Sequence, residues 1–231
     1  GKAKLMNELG VTKEKADEAI QLLLRHSDLT EIQSSEFSID YATKDDCEFI
    51  AKATIYAERA LLGVGMWDVF FEGHEEYSIS KCLTLCSSTV ENSHLNWRNF
   101  IIARYNGVPV ASCSRYMKPF SVIATYDGLK DITTTLLNWE DKEYDAACDR
   151  LDFLRDESSW PDLPIYEGTC FIETVFTEIL HRKKGIASML MRRCMSDGEN
   201  MGAARCFLLA AIGNDKAIRI YNNVGLTKVA Q

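Results

Sequence analysis

A short basic turn is the stretch of the sequence with the clearest chemical potential. In RKKGIASMLMRR, residues 182–193, an arginine and two lysines precede Gly185, and apolar side chains with helical spacing follow. A glycine turn at a helix N-terminus leaves backbone N–H groups without helical partners, and the helix dipole adds positive charge there. This arrangement favours an anion site, with phosphate as its usual ligand. The alternative is a structural glycine turn surrounded by solvated cations.

A second informative stretch follows about thirty residues later along the chain. LLAAIGNDKAIRIYNNVGL, residues 208–226, predicts a buried strand, a capping Asn214, a short helix that carries Tyr221, and a helix end at Gly225. The basic turn itself has neither the GxxxxGK[ST] pattern of a Walker loop nor the GxGxxG pattern of a dinucleotide site. These two common nucleotide-binding motifs are therefore excluded for the anion site.

The two stretches together resemble the motifs of the GCN5-related N-acetyltransferase (GNAT) superfamily. The diphosphate loop of that family has the pattern (Arg/Gln)-x-x-Gly-x-(Gly/Ala), and Arg182, Gly185 and Ala187 fit its fixed positions. The family then carries a strand, an asparagine and a short helix with a tyrosine, which Asn214 and Tyr221 match. Two motifs in the right order and context make the resemblance specific.

The resemblance covers roughly residues 38–231 and is weakest across 60–165. It implies acetyl-CoA as cosubstrate, no metal, and acetyl transfer to an amine by direct attack in a ternary complex. In the family, the pantetheine arm pairs with a splayed strand and the pyrophosphate lies on the loop N–H groups. The cofactor-binding residues implied here are Val175, Phe176, Thr177, Arg182, Lys183, Lys184, Gly185, Ile186, Ala187, Ser188 and Asn214, although Asn214 has the alternative of acting only as a helix cap.

The resemblance also assigns two catalytic residues. Relatives often carry an acid on the strand before the splay, so Glu173 is predicted to be the general base that deprotonates the amine. Tyr221 matches the family tyrosine near the CoA sulfur and is predicted to protonate the departing thiolate. The alternatives are a Glu173 that pairs structurally with a cation and a Tyr221 whose hydroxyl simply reaches the surface.

The residues just before the loop depart from the family pattern. Ile179, Leu180 and His181 stand where relatives commonly have a proline, an acid and an aromatic, and Lys183 replaces the usual glycine. We expect backbone binding of the cofactor to survive these changes, and His181 to pack rather than act as a base. The departures leave a second function open: a catalytically weak acyl-CoA-binding module with a regulatory or interaction role.

The resemblance implies that the loop between the first two helices and residues 118–165 line the acceptor side. The substrate-binding residues predicted there are Trp67, Asp68, Glu72 and Trp160. Aromatic walls with carboxylates suit a cationic amine, which leaves a small amine, a polyamine or a protein amine open. The alternative is a solvated acidic helix beside core aromatics.

The elements that must position these groups follow from periodicity. Residues 1–35 predict an N-terminal helical extension, with a faint resemblance to a ubiquitin-associated-type module, and 36–231 predict the acetyltransferase domain with an insertion at 118–165. The fold class is mixed α/β, with a mixed central sheet flanked by helices. The local signals are a capping box at Thr43–Asp46, a hairpin turn at Asn106–Gly107 and a strand beginning at Leu226.

Composition narrows the class of protein. The 231 residues carry a net charge of −8 and are 46% hydrophobic, which indicates a globular chain and disfavours nucleic-acid binding. No apolar run spans a bilayer, and the polar start does not resemble a signal peptide. Eight cysteines without a CxxC pair and four histidines without HExxH predict reduced thiols, no metal and a cytoplasmic location. A homodimer stays open, and we expect the natural chain to continue past Gln231, since a final strand is missing.

Overall fold

The computed structural model describes residues 37–59, 63–88, 93–117, 124–154 and 168–229. These residues all belong to one unit, Phe37–Gln231. The predicted extension over residues 1–35 lies outside the described residues, so that part of the domain division stays a prediction. None of the described helices is long and apolar enough to cross a membrane.

A five-stranded sheet forms the centre of the unit. Its strands run in the order β1-β2-β3-β4-β5, with antiparallel neighbours from β1 to β4 and a parallel pair β4–β5. The mixed sheet expected from the sequence is therefore confirmed. The strands are β1 (Phe37–Tyr41), β2 (Phe100–Tyr105), β3 (Val108–Met117), β4 (Thr169–Thr177) and β5 (Arg205–Phe207).

Helices flank both faces of this sheet, and the described residues form seven of them. The segment 118–165, which the sequence marks as an insertion, contributes two of these helices, α4 and α5. The helices are α1 (Cys47–Arg59), α2 (Met66–Phe71), α3 (Glu75–Cys86), α4 (Ala124–Leu137), α5 (Asp141–Leu154), α6 (Ile186–Asn200) and α7 (Asp215–Asn223).

Two local signals in the sequence are realised in the structure. The Thr43 N–H and hydroxyl both donate to Asp46 Oδ2, at 2.8 and 3.0 Å, which closes the predicted capping box before α1. In the β2–β3 hairpin, Asn106 and Gly107 adopt φ values of +48° and +80°, the left-handed pair that a two-residue turn requires. Both predictions are confirmed.

Alternating strand residues divide the interior into separate clusters. On one face, Ile101, Cys113 and Ile172 pack with Ile186 and Leu190 of α6, a group we call the α6-side cluster. On the other face, Phe100 and Ile102 pack with Ile50 of α1 and Cys86 of α3. A third cluster joins α1 to α5, and its buried aromatic side chains are Trp67, Phe70, Phe71, Trp139 and Tyr144.

The last part of the chain differs from the sequence expectation. The strand β5 ends at Phe207, although the apolar run continues to Ile212. Residues 226–229 form no strand, so the prediction of a strand beginning at Leu226 was wrong for these residues. A strand needs a neighbour for its backbone groups, and no described strand pairs with residues 208–211 or 226–229.

Candidate active site

The parallel strands β4 and β5 separate part of the way along their length. They pair from Thr169↔Arg205 to Phe171↔Phe207, and no further. From residue 172 to 177, β4 continues to pair with β3, but its other side has no β5 partner. The backbone groups on that side of Val175, Phe176 and Thr177 therefore face a gap, where an extended ligand can pair with them as an added strand.

A bulge in β4 lies just beyond its last pair with β5. The β3–β4 register shifts between Ser112 and Ser114, and Thr174 has a φ of +49°, which is rare for a β-branched residue. Beyond the bulge, the Phe176 ring lies 6.0 Å from that of Tyr56 on α1, whereas Val175 packs on the α6-side cluster. The two side chains point to opposite faces and leave the backbone between them facing the gap.

The loop from β4 to α6 presents a row of backbone N–H groups. Lys183 and Gly185 have φ values of +64° and +78°, and Gly185 caps α6 without any side-chain hydrogen bond. Within the described part of the chain, the N–H groups of residues 183–188 donate to no acceptor. A Cβ added at Gly185 would have no atom within 4 Å, so open space lies directly in front of the turn. This is the geometry of an anion site.

The charged residues of the loop have different roles. Arg182 Nε donates to the Thr177 carbonyl at 2.9 Å and so ties the loop to the end of β4. Lys184 Nζ lies 5.9 Å from the Tyr105 ring. The His181 ring lies 5.2 Å from Tyr105, and burial together with Lys184 lowers the pKa of His181. A neutral, packed imidazole is what the sequence leads us to expect there.

Two predicted residues on the far side of the gap have defined environments. The Asn214 side chain accepts a hydrogen bond from the Ala217 N–H at 3.4 Å and caps α7. Tyr221 is half-buried against the α6-side cluster, which also contacts Val175. Burial and then the nearby Cys113 thiol raise the pKa of Tyr221 to about 12. Its phenol therefore stays protonated at neutral pH and can donate a proton.

Glu173 lies on β4 just before the bulge, opposite Ser114 of β3. Burial raises the pKa of Glu173, and a hydrogen bond from the buried Tyr116 opposes that rise. Glu173 makes no ion pair with any described residue, so the structural pairing with a cation that the sequence left open is not found there. A half-buried carboxylate with a raised pKa is suited to accept a proton.

A second carboxylate, that of Glu58, interacts electrostatically with Glu173, and the sequence alone does not predict a role for it. Glu58, in the last turn of α1, is an exposed residue, although neighbouring protein atoms partly desolvate its carboxyl. This desolvation and then the charge of Glu173 raise the pKa of Glu58 to about 7. A sequence signal existed, because Glu58 follows the buried Thr54 and Ile55 at spacings of four and three on the same helical stripe.

Most of the predicted acceptor residues pack or pair with other side chains of the protein. Trp67 is 2% exposed and stacks on Phe71 at 5.6 Å, so its prediction as a substrate contact was wrong: it belongs to the core. Asp68 Oδ1 accepts from Arg59 at 2.7 Å, and its other oxygen accepts from the Gly65 N–H at 2.9 Å. Glu72 pairs with Arg150 at 3.0 Å, while Trp160 lies outside the described residues.

Comparison with known families decides the family and the fold of the chain. Residues 27–226 match the model of the acetyltransferase (GNAT) family, well over half of the chain. The chain belongs to the acetyltransferase (GNAT) family. The family and the mixed α/β fold predicted from the two motifs are thus confirmed. No curated protein sequence matches this GNAT protein.

Solved structures agree on the fold. An N-acetyltransferase from Staphylococcus aureus Mu50 is 17% identical with a TM-score of 0.56, covering 84% of this chain and 92% of its own. A crystal structure of another acetyltransferase is 16% identical with a TM-score of 0.53, covering 84% of this chain and 90% of its own. At such identities the likeness shows the fold alone.

Among the residues that the structure describes, no group of three or more His, Cys, Asp or Glu side chains could hold a metal ion. All eight cysteines are free thiols, and six of them are buried. Three further groups influence one another's pKa: Glu58, Glu173 and Tyr116.

Proposed function

We propose that this GNAT protein transfers the acetyl group of acetyl-CoA to an amine, by direct attack in a ternary complex. The observation that carries the proposal is the gap between β4 and β5, which ends at the uncapped N-terminus of α6. An extended chain that carries a diphosphate at one end matches this combination of an open strand edge and an anion site.

In this proposal the backbone supplies most of the donor affinity. The pyrophosphate accepts hydrogen bonds from the N–H groups of residues 183–188, and the pantetheine arm pairs with Val175, Phe176 and Thr177. Lys183 and Lys184 add positive charge around the loop, whereas Arg182 holds the loop against β4. Gly185 keeps the turn left-handed and the space in front of it open.

The two proton transfers are assigned to Glu173 and Tyr221. Glu173 removes a proton from the acceptor ammonium, so that the nitrogen lone pair attacks the thioester carbonyl. The C–N bond forms, the C–S bond breaks, and the Tyr221 phenol donates its proton to the departing thiolate. The second amine proton leaves to solvent. The Tyr221 phenolate then takes up a proton from solvent, and Glu173 releases its own, so that both groups are ready for the next turnover. The raised pKa values of both groups support these roles.

The test is thiol release from acetyl-CoA in the presence of a panel of primary and secondary amines, followed by mass spectrometry of the products. We expect amine-dependent release of free CoA and one added acetyl group on the reactive amine. Silence with every amine, while calorimetry still detects CoA binding, would refute the transferase and indicate an acyl-CoA-binding module.

A further inference from the structure

Two cysteines lie side by side where β4 and β5 still pair. Cys170 of β4 is the direct register partner of Cys206 of β5, and only the pair Phe171↔Phe207 follows before the strands separate. The Cα atoms of paired residues on neighbouring strands lie about 4.8 Å apart, within the roughly 4.4–6.8 Å that a disulfide spans. The backbone therefore places these two thiols within reach of one another.

The two thiols also lie against the same point of one helix. A Cβ added at Gly198 of α6 would lie 2.9 Å from Cys170 Sγ and 3.4 Å from Cys206 Sγ. Both sulfur atoms are therefore on the α6 side of the sheet. The missing side chain at Gly198 leaves them the space that they share beneath the helix.

Solvent reaches one of the two thiols but not the other. Cys170 is fully buried, whereas Cys206 is partly exposed. Cys206 lines an open pocket of about 530 Å³ between α6, β5 and the end of α7. The pocket is also lined by polar side chains, among them Arg192, Arg205 and Glu199. A small polar reagent can therefore approach Cys206 from the pocket.

The protons of the pair are arranged so that the exposed sulfur is the more reactive one. A hydrogen bond from the Cys170 thiol lowers the pKa of Cys206, although burial and the charge of Glu199 oppose this effect. The same hydrogen bond, together with burial, raises the pKa of Cys170. The thiolate is the form of cysteine that attacks oxidants. Cys206 is therefore the nucleophile, with a second thiol beside it.

Another pair of neighbouring cysteines lacks this access to solvent. Cys113 of β3 and Cys194 of α6 both belong to the α6-side cluster, and both are fully buried. Burial and then the hydrogen bond with Cys194 raise the pKa of Cys113 well above its ordinary value. Structural, buried thiols of this kind are inert. The chain thus contains its own control for the reactivity of the exposed pair.

We propose that Cys206 is an oxidation site that reacts with hydrogen peroxide, and that Cys170 then closes a disulfide between β5 and β4. First, the Cys206 thiolate attacks a peroxide oxygen. The S–O bond forms, the O–O bond breaks, and the departing hydroxide takes up a proton to become water.

The second step joins the two strands. The Cys170 sulfur attacks the sulfur of the Cys206 sulfenic acid, so the S–S bond forms and the S–O bond breaks. The hydroxyl group leaves with the Cys170 proton as a second water. The two sulfurs together lose two electrons, and the peroxide is reduced to water. This chemistry needs neither CoA nor an amine, so it goes beyond the proposed transfer reaction and is tested without it.

The test is mild peroxide treatment of the reduced full chain, followed by peptide mapping with mass spectrometry. We expect one disulfide, between the peptides that carry Cys170 and Cys206, and its loss on treatment with dithiothreitol. Cys170→Ser should stop at a sulfenic acid on Cys206, which dimedone traps. Cys206→Ser should form neither product, whereas the matched control Cys194→Ser should form the disulfide as the wild type does. A wild type without this disulfide, or equal oxidation of C206S and C194S, would overturn the proposal.

A second measurement uses the unaltered protein and so does not depend on how the variants fold. Cys148 is the other partly exposed cysteine and serves as the internal reference. At pH 7 we expect iodoacetamide to alkylate Cys206 about tenfold faster than Cys148, because the thiolate is the reacting form. Alkylation of Cys148 at the same rate or faster contradicts the assignment of Cys206 as the reactive thiol.

Discussion

The donor side and the acceptor side of this protein are built in different ways. The proposed donor side is one continuous loop, residues 182–188, whose N–H groups from 183 to 188 donate to no described acceptor at the start of α6. The proposed acceptor side depends on side chains from elements that are distant in the sequence: Glu58 of α1, Tyr116 of β3 and Glu173 of β4 influence one another's pKa. The donor side can therefore be recognised as a motif, whereas the acceptor side exists only after folding.

Because the two sides are built differently, substitutions on each side should change different measured quantities. Changes to the donor loop alter backbone conformation or add charge, so they should act on CoA affinity. Changes to Glu173, the proposed general base, alter proton affinity, so they should act on turnover. A loop substitution that changed turnover without changing CoA affinity, or a carboxylate substitution that changed CoA affinity, would contradict this distinction.

The largest effect on turnover is expected for Glu173→Gln. Loss of a general base lowers kcat by about 1,000-fold, while the Kd for CoA stays unchanged. Because the base acts only when ionised and burial raises its pKa, wild-type kcat should rise with pH through that raised pKa. The variant should lose this rise. Steady-state kinetics from pH 5 to 9 measure both, with Glu178→Gln, an exposed acid just past the strand, as the control.

A smaller loss is expected for Tyr221→Phe, which removes the hydroxyl and leaves the packing. We expect kcat to fall about 100-fold, because the thiolate must leave without its proton donor. The pKa of Tyr221 is raised to about 12, so the wild-type donor stays protonated up to that pH. Tyr77→Phe, at an exposed tyrosine of α3, is the matched control. Kinetics that do not distinguish the two phenylalanine variants would remove Tyr221 from the mechanism.

Gly198→Ala tests how α6, which begins at the donor loop, is held against β4, which carries Glu173. A Cβ at Gly198 would lie 2.9 Å from both Cβ and Sγ of Cys170. Overpacking of this kind costs about 1–3 kcal/mol, offset by about 1 kcal/mol of helix propensity. Denaturant unfolding should therefore show a loss of stability, and Ser196→Ala, on the exposed face of α6, should show none. A stable G198A would mean that α6 can shift freely on the sheet.

The smallest expected effect is on the stability of the free protein, where a substitution should raise the melting temperature. The folded pKa of Glu58 is about 7, above its ordinary value of 4.5. A raised carboxyl pKa contributes stability that is complete below pH 4.5 and is lost as the pH rises through 7. Glu58→Gln should therefore melt at a higher temperature than the wild type at pH 8, and at the same temperature at pH 4. A lower melting temperature at pH 8 would show that Glu58 stabilises the fold.

The two sides also differ in how much of them the sequence predicts. Arg182, Gly185 and Ala187 are neighbours in the chain, and their spacing directly encodes a turn and a helix start, so the donor loop and the family were predictable. For the acceptor side, the resemblance indicates only which loop to consider, and residue type then makes Trp67 and Asp68 candidates within it. The structure instead gives Trp67 to the core and Asp68 to Arg59. Only packing decides whether an aromatic or an acid faces solvent or the interior.

The separation of β4 from β5 was predictable only through the family resemblance. The apolar run after Phe207 predicts a longer strand, because periodicity does not reveal whether a neighbouring strand diverges. Glu58 was missed for a related reason. A charged residue at the end of an apolar stripe is usually solvated, and the approach of Glu173 from β4 depends on a contact across 115 positions of sequence.

The central claim is that the backbone turn at Gly185 binds the diphosphate of acetyl-CoA. Calorimetric titration of CoA into Gly185→Glu and Gly202→Glu tests it most directly. Both glycines are left-handed, at +78° and +87°, and neither has an atom within 4 Å of an added Cβ, but Gly202 lies beyond the other end of α6. We expect no detectable CoA binding to G185E and wild-type affinity in G202E. Equal, undiminished binding to both variants would contradict it.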